Sequence, residues 1–529
     1  MEGSQVRHVV VIGGGITGLT TARRLALAGH RVTLYESDRR LGGQILTVHV
    51  PIPSTGHGTS SDQDDPAPAS MPVDLGAEAM HTMAPHGIAL LKELGLFDER
   101  IVARSGESYL WTPRGRRRLP SGVGPAGPTR LRPVLASRVM SMAGLFRAGL
   151  EPVAARLRST PPLGPGQDIA VGEFVAGRFG RQVVDRFVDP LLGGLHSGDV
   201  HQLSLRATTP TLVSAASQGR SLMPLRLGDL PRQVVGTVTR RLPADRREKI
   251  VGALPKAFAP APARPAPRMD FLSWKGGLHE VVDRLLTDVE VEVVLGAQVD
   301  TVEAVPGGPE SDPGRQRYRL TTSEGVAEAD AVVLAVPATA ARKLLQPVLP
   351  RAADTLAQTR ISSTVTVLLG FPTQDVADVP ALQANGLLVP STTGTLLKAM
   401  TSLSAKWPQH GGGDLHLVRL SAGRDGQDLV DRLDDDSLVA RLLEDLRSFT
   451  GLSVAPAIVH VQRWPQGLPQ LTVGHLDRVA DIRAEIDEHL PGVVLAGASY
   501  DGIGLAACIA SANSAAERLV RHFDAEEAS

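Results

Sequence analysis

Val9–Ile12 is the first apolar run of the chain, short and rich in β-branched residues, as a buried parallel strand requires. Gly13 ends it. Apolar and small positions then follow at helical spacing from Thr17 to Ala28, and Gly29 stops them. Arg31–Tyr35 predicts a second strand, with Glu36 at its end. Val291–Val305 and Arg317–Thr322 read as a β-meander. Ala329–Leu345 reads as a buried strand followed by a helix. Gly492–Phe523 reads as strand, glycine loop and long helix. The pattern predicts an α/β chain whose nucleotide domain is assembled from discontinuous segments, with further domains between them. Three stretches break the periodicity. Pro53–Ser70 is polar and proline-rich and predicts a surface excursion, Leu254–Arg268 an extended Ala/Pro spacer, and Val305–Gln316 a hairpin connection. No repeat at solenoid periods is present.

The turn after the first strand carries chemistry. Gly13, Gly15 and Gly18 fit G-x-G-x-x-G. The first glycine permits the tight turn, the second lets backbone approach a pyrophosphate, and the third lets helix and strand pack closely. Ile16 and Thr17 open the helix, whose free N–H groups and positive dipole end face the phosphates. Glu36, followed by Ser37, accepts hydrogen bonds from ribose hydroxyls and repels a 2′-phosphate, which argues against NADP. All these parts fall within about 30 residues, the length of one βαβ unit. Near Gly504 a second glycine loop opens a second long helix at the far end of the chain. A nicotinamide that leaves and returns has little need of it. A retained flavin needs a second anchor, and a helix N-terminus there stabilises the negative charge of its reduced ring. FAD is therefore expected rather than NAD. "RLGGQ" (Arg40–Gln44) supplies another glycine turn beside the cofactor.

Composition narrows the remaining classes. The 529 residues exceed one simple domain, and a net charge of −1 gives no global field for a polyanion, so no nucleic-acid partner is expected. The one cysteine, Cys508, excludes an internal disulfide and any cysteine-based metal centre. His196 and His475 have no partner at ligand spacing, and no metal is expected. No apolar run approaches the roughly 18 residues of a membrane span, and no signal pattern precedes the first strand, so a cytoplasmic protein is expected.

Several blocks together resemble the protoporphyrinogen and coproporphyrinogen oxidases of haem synthesis, within the flavin amine oxidase superfamily. "VIGGGITGLTTA…LYESDRRLGGQ" and "VDLGAEAM" (Val73–Met80) are shared across the superfamily. "DPLLGGLHSGDVHQLSLRATTPTL" (Asp189–Leu212), "NGLLVPS" (Asn385–Ser391) with "LSAKWP" (Leu403–Pro408), "RWPQGLPQLTVGHLDRV" (Arg463–Val479) and "LAGASYDGIGLAACI" (Leu495–Ile509) are more specific. The resemblance runs almost end to end. It implies a Rossmann-like FAD domain from 1–86, 268–343 and 460–529, a mixed-sheet substrate domain from 87–105, 213–267 and 344–459, and a mainly helical domain at 106–212 that touches membranes in relatives.

The resemblance also implies site residues. Gly42, Gly43, Gly76 and Ala77 are carried over as backbone contacts on the flavin side, Val299 as a contact to adenine, and Ala498, Gly504 and Leu505 as C-terminal flavin contacts. Leu387 is expected against the macrocycle, although a slip of one residue would turn it to the other face of its strand. Cys508 matches a small helix-packing position, so the FAD is expected to be noncovalent. Lys406 and Trp407 read either as pocket residues or as the close of a strand with a solvated lysine. From Ile101 to Thr160 there are eleven arginines, no lysine and two acids, Glu107 and Glu151. This stretch, densest at Arg114–Arg118, reads as a solvated basic face, an anchor for propionates, or a peripheral contact to anionic lipid. Some relatives carry an arginine where Glu107 and Ser108 stand, so their propionate anchoring does not transfer.

The implied reaction takes a porphyrinogen to a porphyrin, with O2 reoxidising the flavin and H2O2 released. Coproporphyrinogen III is favoured and protoporphyrinogen IX is the alternative. Transfer of the product to another haem-synthesis enzyme is a further implied contact. Gain of aromaticity drives the chemistry, and no catalytic acid or base is assigned. Two rivals remain. An amine or amino-acid oxidase usually needs two aromatic walls over the flavin, for which Tyr500 is one candidate. A flavin-binding protein without turnover is the other.

Overall fold

The computed structural model describes residues 5–51, 70–124, 127–129, 131–157, 163–164, 166–223, 269–306 and 316–528. Apart from Ser70, Val305, Pro306 and Gln316, the three stretches read as excursion, spacer and hairpin connection lie outside them.

A five-stranded parallel sheet carries the nucleotide-type unit. Its strands are β1 (His8–Ile12), β2 (Arg31–Glu36), β5 (Glu292–Leu295), β9 (Ala331–Leu334) and β15 (Val493–Leu495), in the order β5-β2-β1-β9-β15. Both ends and the middle of the chain thus meet in one sheet. Val9, Val10 and Val11 are fully buried, as expected of a parallel strand covered on both faces. Helix α1 (Ile16–Leu27) follows β1 directly and packs along the C-terminal helix α6 (Leu505–Glu527). The expected meander lies beside this sheet, with strands β6 (Val299–Pro306), β7 (Gln316–Thr322) and β8 (Gly325–Ala329). Residues 292–295, read above as part of that meander, instead pair with β2 in the parallel sheet. The turn at Gly296, with φ of +69°, separates the two.

The second sheet has seven strands. They are β3 (Ser108–Thr112), β4 (Gly115–Arg118), β10 (Ile361–Pro372), β11 (Gly386–Leu388), β12 (Leu397–Ser402), β13 (Leu415–Ala422) and β14 (Ile458–Pro469), in the order β14-β10-β13-β12-β11-β3-β4. The hairpin Ser108–Arg118 therefore belongs to this sheet and not to the helical part, where the expected range 106–212 had put it. Its strand character lies in the alternation of buried Leu110 and Thr112 with half-buried Tyr109 and Trp111. Val365, Val367, Leu387, Met400, Val418 and Leu420 form the core on one face of the sheet, together with Leu438, Leu442 and Leu446 of helix α4 (Asp435–Thr450).

A helical layer built on residues 131–218 closes the assembly. Its core includes Phe174, Phe179, Val184, Phe187 and Val188, and it reaches the seven-stranded sheet through Leu110 and Leu388. A π-helix, Val184–Gly193, crosses its centre with Pro190 inside, and the chain leaves it at Ser197, a non-glycine residue at φ 50°. No described helix is long and apolar enough to cross a membrane.

Candidate flavin and substrate site

The glycine turn has the geometry of a cradle. Gly13 adopts φ +106°, and its N–H donates to the Tyr35 carbonyl at 2.8 Å. A Cβ on Gly18 would meet the Gly13 carbonyl oxygen at 1.8 Å, so that position is sterically closed. A Cβ on Gly15 would meet nothing within 4 Å. Open space at the helix mouth beside a fully packed turn is what close approach of a pyrophosphate needs. Ile16 and Thr17, both buried, begin α1 below this opening. Glu36 lies at its edge, where Oε2 accepts from the Gly14 N–H at 2.6 Å and Oε1 from the Asp38 N–H at 2.7 Å. The Ser37 hydroxyl donates to Oε1 at 3.2 Å.

The other expected cofactor residues converge here. Gly42 bridges to Gly15 and donates to the Gly14 carbonyl at 2.8 Å. A Cβ on Gly43 would come within 3.2 Å of Gly15 Cα. Gly76 packs on the Gln44 carbonyl, and Ala77 donates to that carbonyl at 2.9 Å. Val299 begins β6 just beyond the turn in which the Ala297 N–H donates to the Glu36 carbonyl at 2.9 Å. At the C-terminal loop, Gly497 has φ +118° and lies against Thr17, and Ala498 follows it. Gly504, at φ +91°, opens α6 with no atom within 4 Å of an added Cβ, and Leu505 is the first residue of that helix. The two glycine mouths, Gly15 and Gly504, therefore belong to packed neighbours. Cys508 is buried among α1 and α6, and burial pushes its thiol up to about 11.

The seven-stranded sheet presents its second face to this loop system. Antiparallel pairing puts Leu388, Ala399 and Ser421 on one line, and Thr401 beside Arg419. These five are half-buried, whereas Leu387, Met400 and Leu420 on the opposite face are at most 1% exposed. The half-buried positions thus share the sheet face from which Arg419 reaches the loop of the glycine turn. Leu387 itself packs in the α4 core, and its neighbour Leu388, on the opposite face, packs against the core of the helical layer. Arg419 connects this face to the cofactor loop by donating to the Asp74 and Gly76 carbonyls at 3.2 and 3.3 Å. Trp464 of β14 closes one side and would touch a Cβ on Gly76 at 3.2 Å.

A buried charge cluster braces the junction. Glu78 accepts from Lys406 Nζ at 2.5 Å and from Trp407 Nε1 at 2.9 Å, and Arg419 is 2.7 Å from its other oxygen. Burial opposes ionisation of Glu78, but Arg419 and Lys406 overcome it and hold the carboxyl down at about 2. Lys406 therefore ends in a largely buried ion pair rather than in solvent, and Trp407 is 2% exposed beside it. Neither Glu78 nor Arg419 is identifiable from sequence spacing, because their partners lie more than 300 residues apart. Tyr500 is not a wall of the site. Its ring is fully buried in the core beside β9 and β15, and its hydroxyl donates to the Val336 carbonyl at 2.9 Å. His475 bonds the Tyr500 carbonyl at 3.1 Å, a structural contact. Among the described residues no group of acidic, histidine or cysteine side chains is arranged to hold a metal.

The arginine-rich stretch divides. Arg118 pairs with Glu107 at 2.7 Å, and Arg116 lies 4.9 Å over the Tyr109 ring. Arg147 donates to the Arg178 and Gly177 carbonyls at 2.9 and 2.7 Å. The guanidinium that links the seven-stranded sheet to the Asp74 and Gly76 carbonyls comes from Arg419, outside this stretch.

Residues 16–520 match the profile of the family described as flavin containing amine oxidoreductase. The chain belongs to that family. The coproporphyrinogen III oxidase of Mycobacterium leprae is 32% identical over 97% of this chain and 98% of the relative. That of Propionibacterium freudenreichii is 30% identical over 97% of this chain and 90% of the relative. The chloroplastic protoporphyrinogen oxidase of Nicotiana tabacum is 25% identical over 96% and 85%. Among solved structures, an Exiguobacterium protein assigned as a protoporphyrinogen oxidase superposes with a TM-score of 0.73 at 26% identity, covering 99% of this chain and all of that one. Putrescine oxidase, at 15% identity and a TM-score of 0.61, shares the fold. The family places a flavin in this chain, and the open glycine mouths fit one.

Proposed function

We propose that this flavin oxidoreductase oxidises a porphyrinogen to a porphyrin in haem biosynthesis, with coproporphyrinogen III preferred. The observation that carries the reading is the half-buried sheet face of Ala399, Thr401 and Ser421, from which Arg419 reaches the Gly76 carbonyl beside the glycine turn. Such a face suits a broad, largely apolar ring with carboxylate side chains. The coproporphyrinogen III oxidases of actinobacteria, matched nearly end to end, support the substrate. The cofactor is FAD, held through the Gly13–Gly18 turn, Glu36 and the Gly504 helix mouth. When bound, it supplies a two-electron acceptor that O2 reoxidises to give H2O2. Three such rounds convert one porphyrinogen and three O2 into one porphyrin and three H2O2. The chain's own part is to hold the macrocycle against the flavin, exclude water and neutralise carboxylates. Parallel aerobic assays of coproporphyrinogen III and protoporphyrinogen IX, read as porphyrin fluorescence and H2O2, test this reading.

The flavin is proposed to be noncovalent. Cys508 is a buried thiol with a raised pKa, opposite in character to the exposed thiolate that covalent attachment needs. Cys508→Ala is expected to stay yellow, and acid precipitation of either protein should release all flavin to the supernatant. Flavin retained in the wild-type pellet and lost from the variant would overturn this.

The protein is proposed to be cytoplasmic, with a peripheral membrane contact and onward transfer of product to another haem-synthesis enzyme. Met142 and Phe146 project from the helical layer at 74% and 72% exposure, and Val153 and Leu157 continue the stripe. Met142→Ser with Phe146→Ser is expected to reduce cosedimentation with anionic vesicles several-fold, and high salt to reduce it in the wild type. Equal binding by the double variant would contradict that contact.

A further inference from the structure

We infer that Lys398 is a specificity-determining anchor for one carboxylate of the substrate, an inference that rests on the porphyrinogen reading above. The residue is second in β12, and a bulge between Leu397 and Ala399 takes it out of the regular ladder. It is 4% exposed. Its Nζ donates to the Ser197 hydroxyl, and among the described residues no carboxylate lies within ion-pair distance. An ammonium offers three donors, so one hydroxyl leaves this group short of acceptors.

The neighbours deepen that deficit. Arg419 from β13 and Arg424 just beyond it both act on Lys398 as like charges. Arg419 is already committed to Glu78 at 2.7 Å, and Arg424 donates to the Val389 carbonyl at 2.9 Å. Asp189 of the π-helix acts on Arg424 and accepts from the Ser391 N–H at 2.7 Å, and Asp425, whose N–H donates to the Ser197 carbonyl at 2.6 Å, is paired with Arg360. His196, beside Ser197, is 4% exposed and its Nδ1 has no partner. Burial pulls it down to about 4, so it adds no charge near neutrality. Ser197 holds its position at φ 50°, a conformation that costs a non-glycine residue energy. A buried cation without an anion, a buried unpartnered imidazole and a strained serine thus meet at one corner. That corner lies at the start of β12, between the helical layer and the sheet face that carries Arg419, next to Ala399 and its ladder partner Leu388. A carboxylate arriving there would accept from Lys398 and from Ser197 once the lysine releases the hydroxyl.

The corner has a signature that a packing role lacks. Burial, then Arg424 and Arg419, pull the free amine down to about 7. A carboxylate binds its charged form, so affinity should be highest below that pH and fall about tenfold per unit above it. The test uses the FAD-loaded enzyme and coproporphyrin III, followed by fluorescence between pH 6 and 9. Lys398→Met is expected to bind at least tenfold more weakly at pH 6, and to raise KM with kcat within about twofold of wild type. Lys398→Arg should keep affinity within about threefold while losing the pH dependence above 7. Equal affinity and equal pH profiles for all three proteins would overturn the anchor while leaving the oxidase reading intact. Should Lys398→Met fail to load FAD, the comparison of wild type with Lys398→Arg decides, and identical profiles overturn the anchor. A wild type that neither binds coproporphyrin III nor oxidises its porphyrinogen would instead remove the reading beneath it.

Discussion

Gly15→Val is expected to give folded but colourless protein, while Gly18→Val gives little folded protein at all. The two glycines lie three residues apart and differ in what a side chain would meet. At Gly18 a Cβ would stand 1.8 Å from the Gly13 carbonyl oxygen, which neither strand nor helix can yield. At Gly15 backbone φ is −73°, accessible to any residue, and nothing lies within 4 Å. Valine therefore fits the protein and fills the space that the pyrophosphate needs. Flavin affinity should fall roughly a hundredfold or more, about 3 kcal/mol. Absorbance near 450 nm after gel filtration, with circular dichroism as the folding control, reads this directly. Full flavin content in Gly15→Val would place the pyrophosphate elsewhere.

Glu78→Gln is expected to lose about 3–5 kcal/mol of stability, the cost of leaving two buried cations without their counter-ion. Lys406 and Arg419 both end on this carboxylate, and all three side chains are less than one-fifth exposed. The variant should also loosen the flavin, since Arg419 braces the Asp74 and Gly76 carbonyls. The same pair of cations predicts an acid limb in the wild type. The Glu78 pKa is depressed to about 2 from the ordinary 4.5, so its contribution is complete above about pH 4.5. It is lost as pH falls through the folded value near 2. The gap between the urea midpoints of the two proteins should therefore narrow from pH 7 to pH 3 without closing. A wild type and variant of equal stability at pH 7 would contradict the cluster's role.

These two cases mark what the sequence made legible. Gly13, Gly15, Gly18 and Glu36 act within one βαβ unit, so local spacing carries their meaning. Gly504 was equally readable, because a glycine before a long amphipathic run is a local signal. The Glu78 cluster joins residues more than 300 positions apart, and nothing in "VDLGAEAM" or "LSAKWP" announces that the two blocks meet. Lys398 follows two leucines, and strand pairing rather than its own spacing buries it. The Leu387–Leu388 choice turned on register: pairing with Met400 and Ala399 sends adjacent leucines to opposite faces. The Ser108–Arg118 hairpin fell in the range 106–212 that the resemblance assigned to the mainly helical domain, because its pairing with Gly386–Leu388, far along the chain, leaves no local signal. Glu292–Leu295 read as meander because one turn at Gly296 separates two strands of different sheets.

The central claim is that the chamber between the flavin loops and the seven-stranded sheet is built for a carboxylate-rich porphyrinogen. The most direct measurement is kcat/KM for coproporphyrinogen III beside protoporphyrinogen IX, in air, with autoxidation subtracted. Coproporphyrinogen III carries four propionates against two. Charged hydrogen bonds of about 1.5–3 kcal/mol each would separate the substrates by more than tenfold. The account predicts that ratio in favour of coproporphyrinogen III, with about three H2O2 per porphyrin. Equal or reversed preference would contradict the coproporphyrinogen assignment, and no flavin-dependent oxidation of either would contradict the porphyrinogen reading itself.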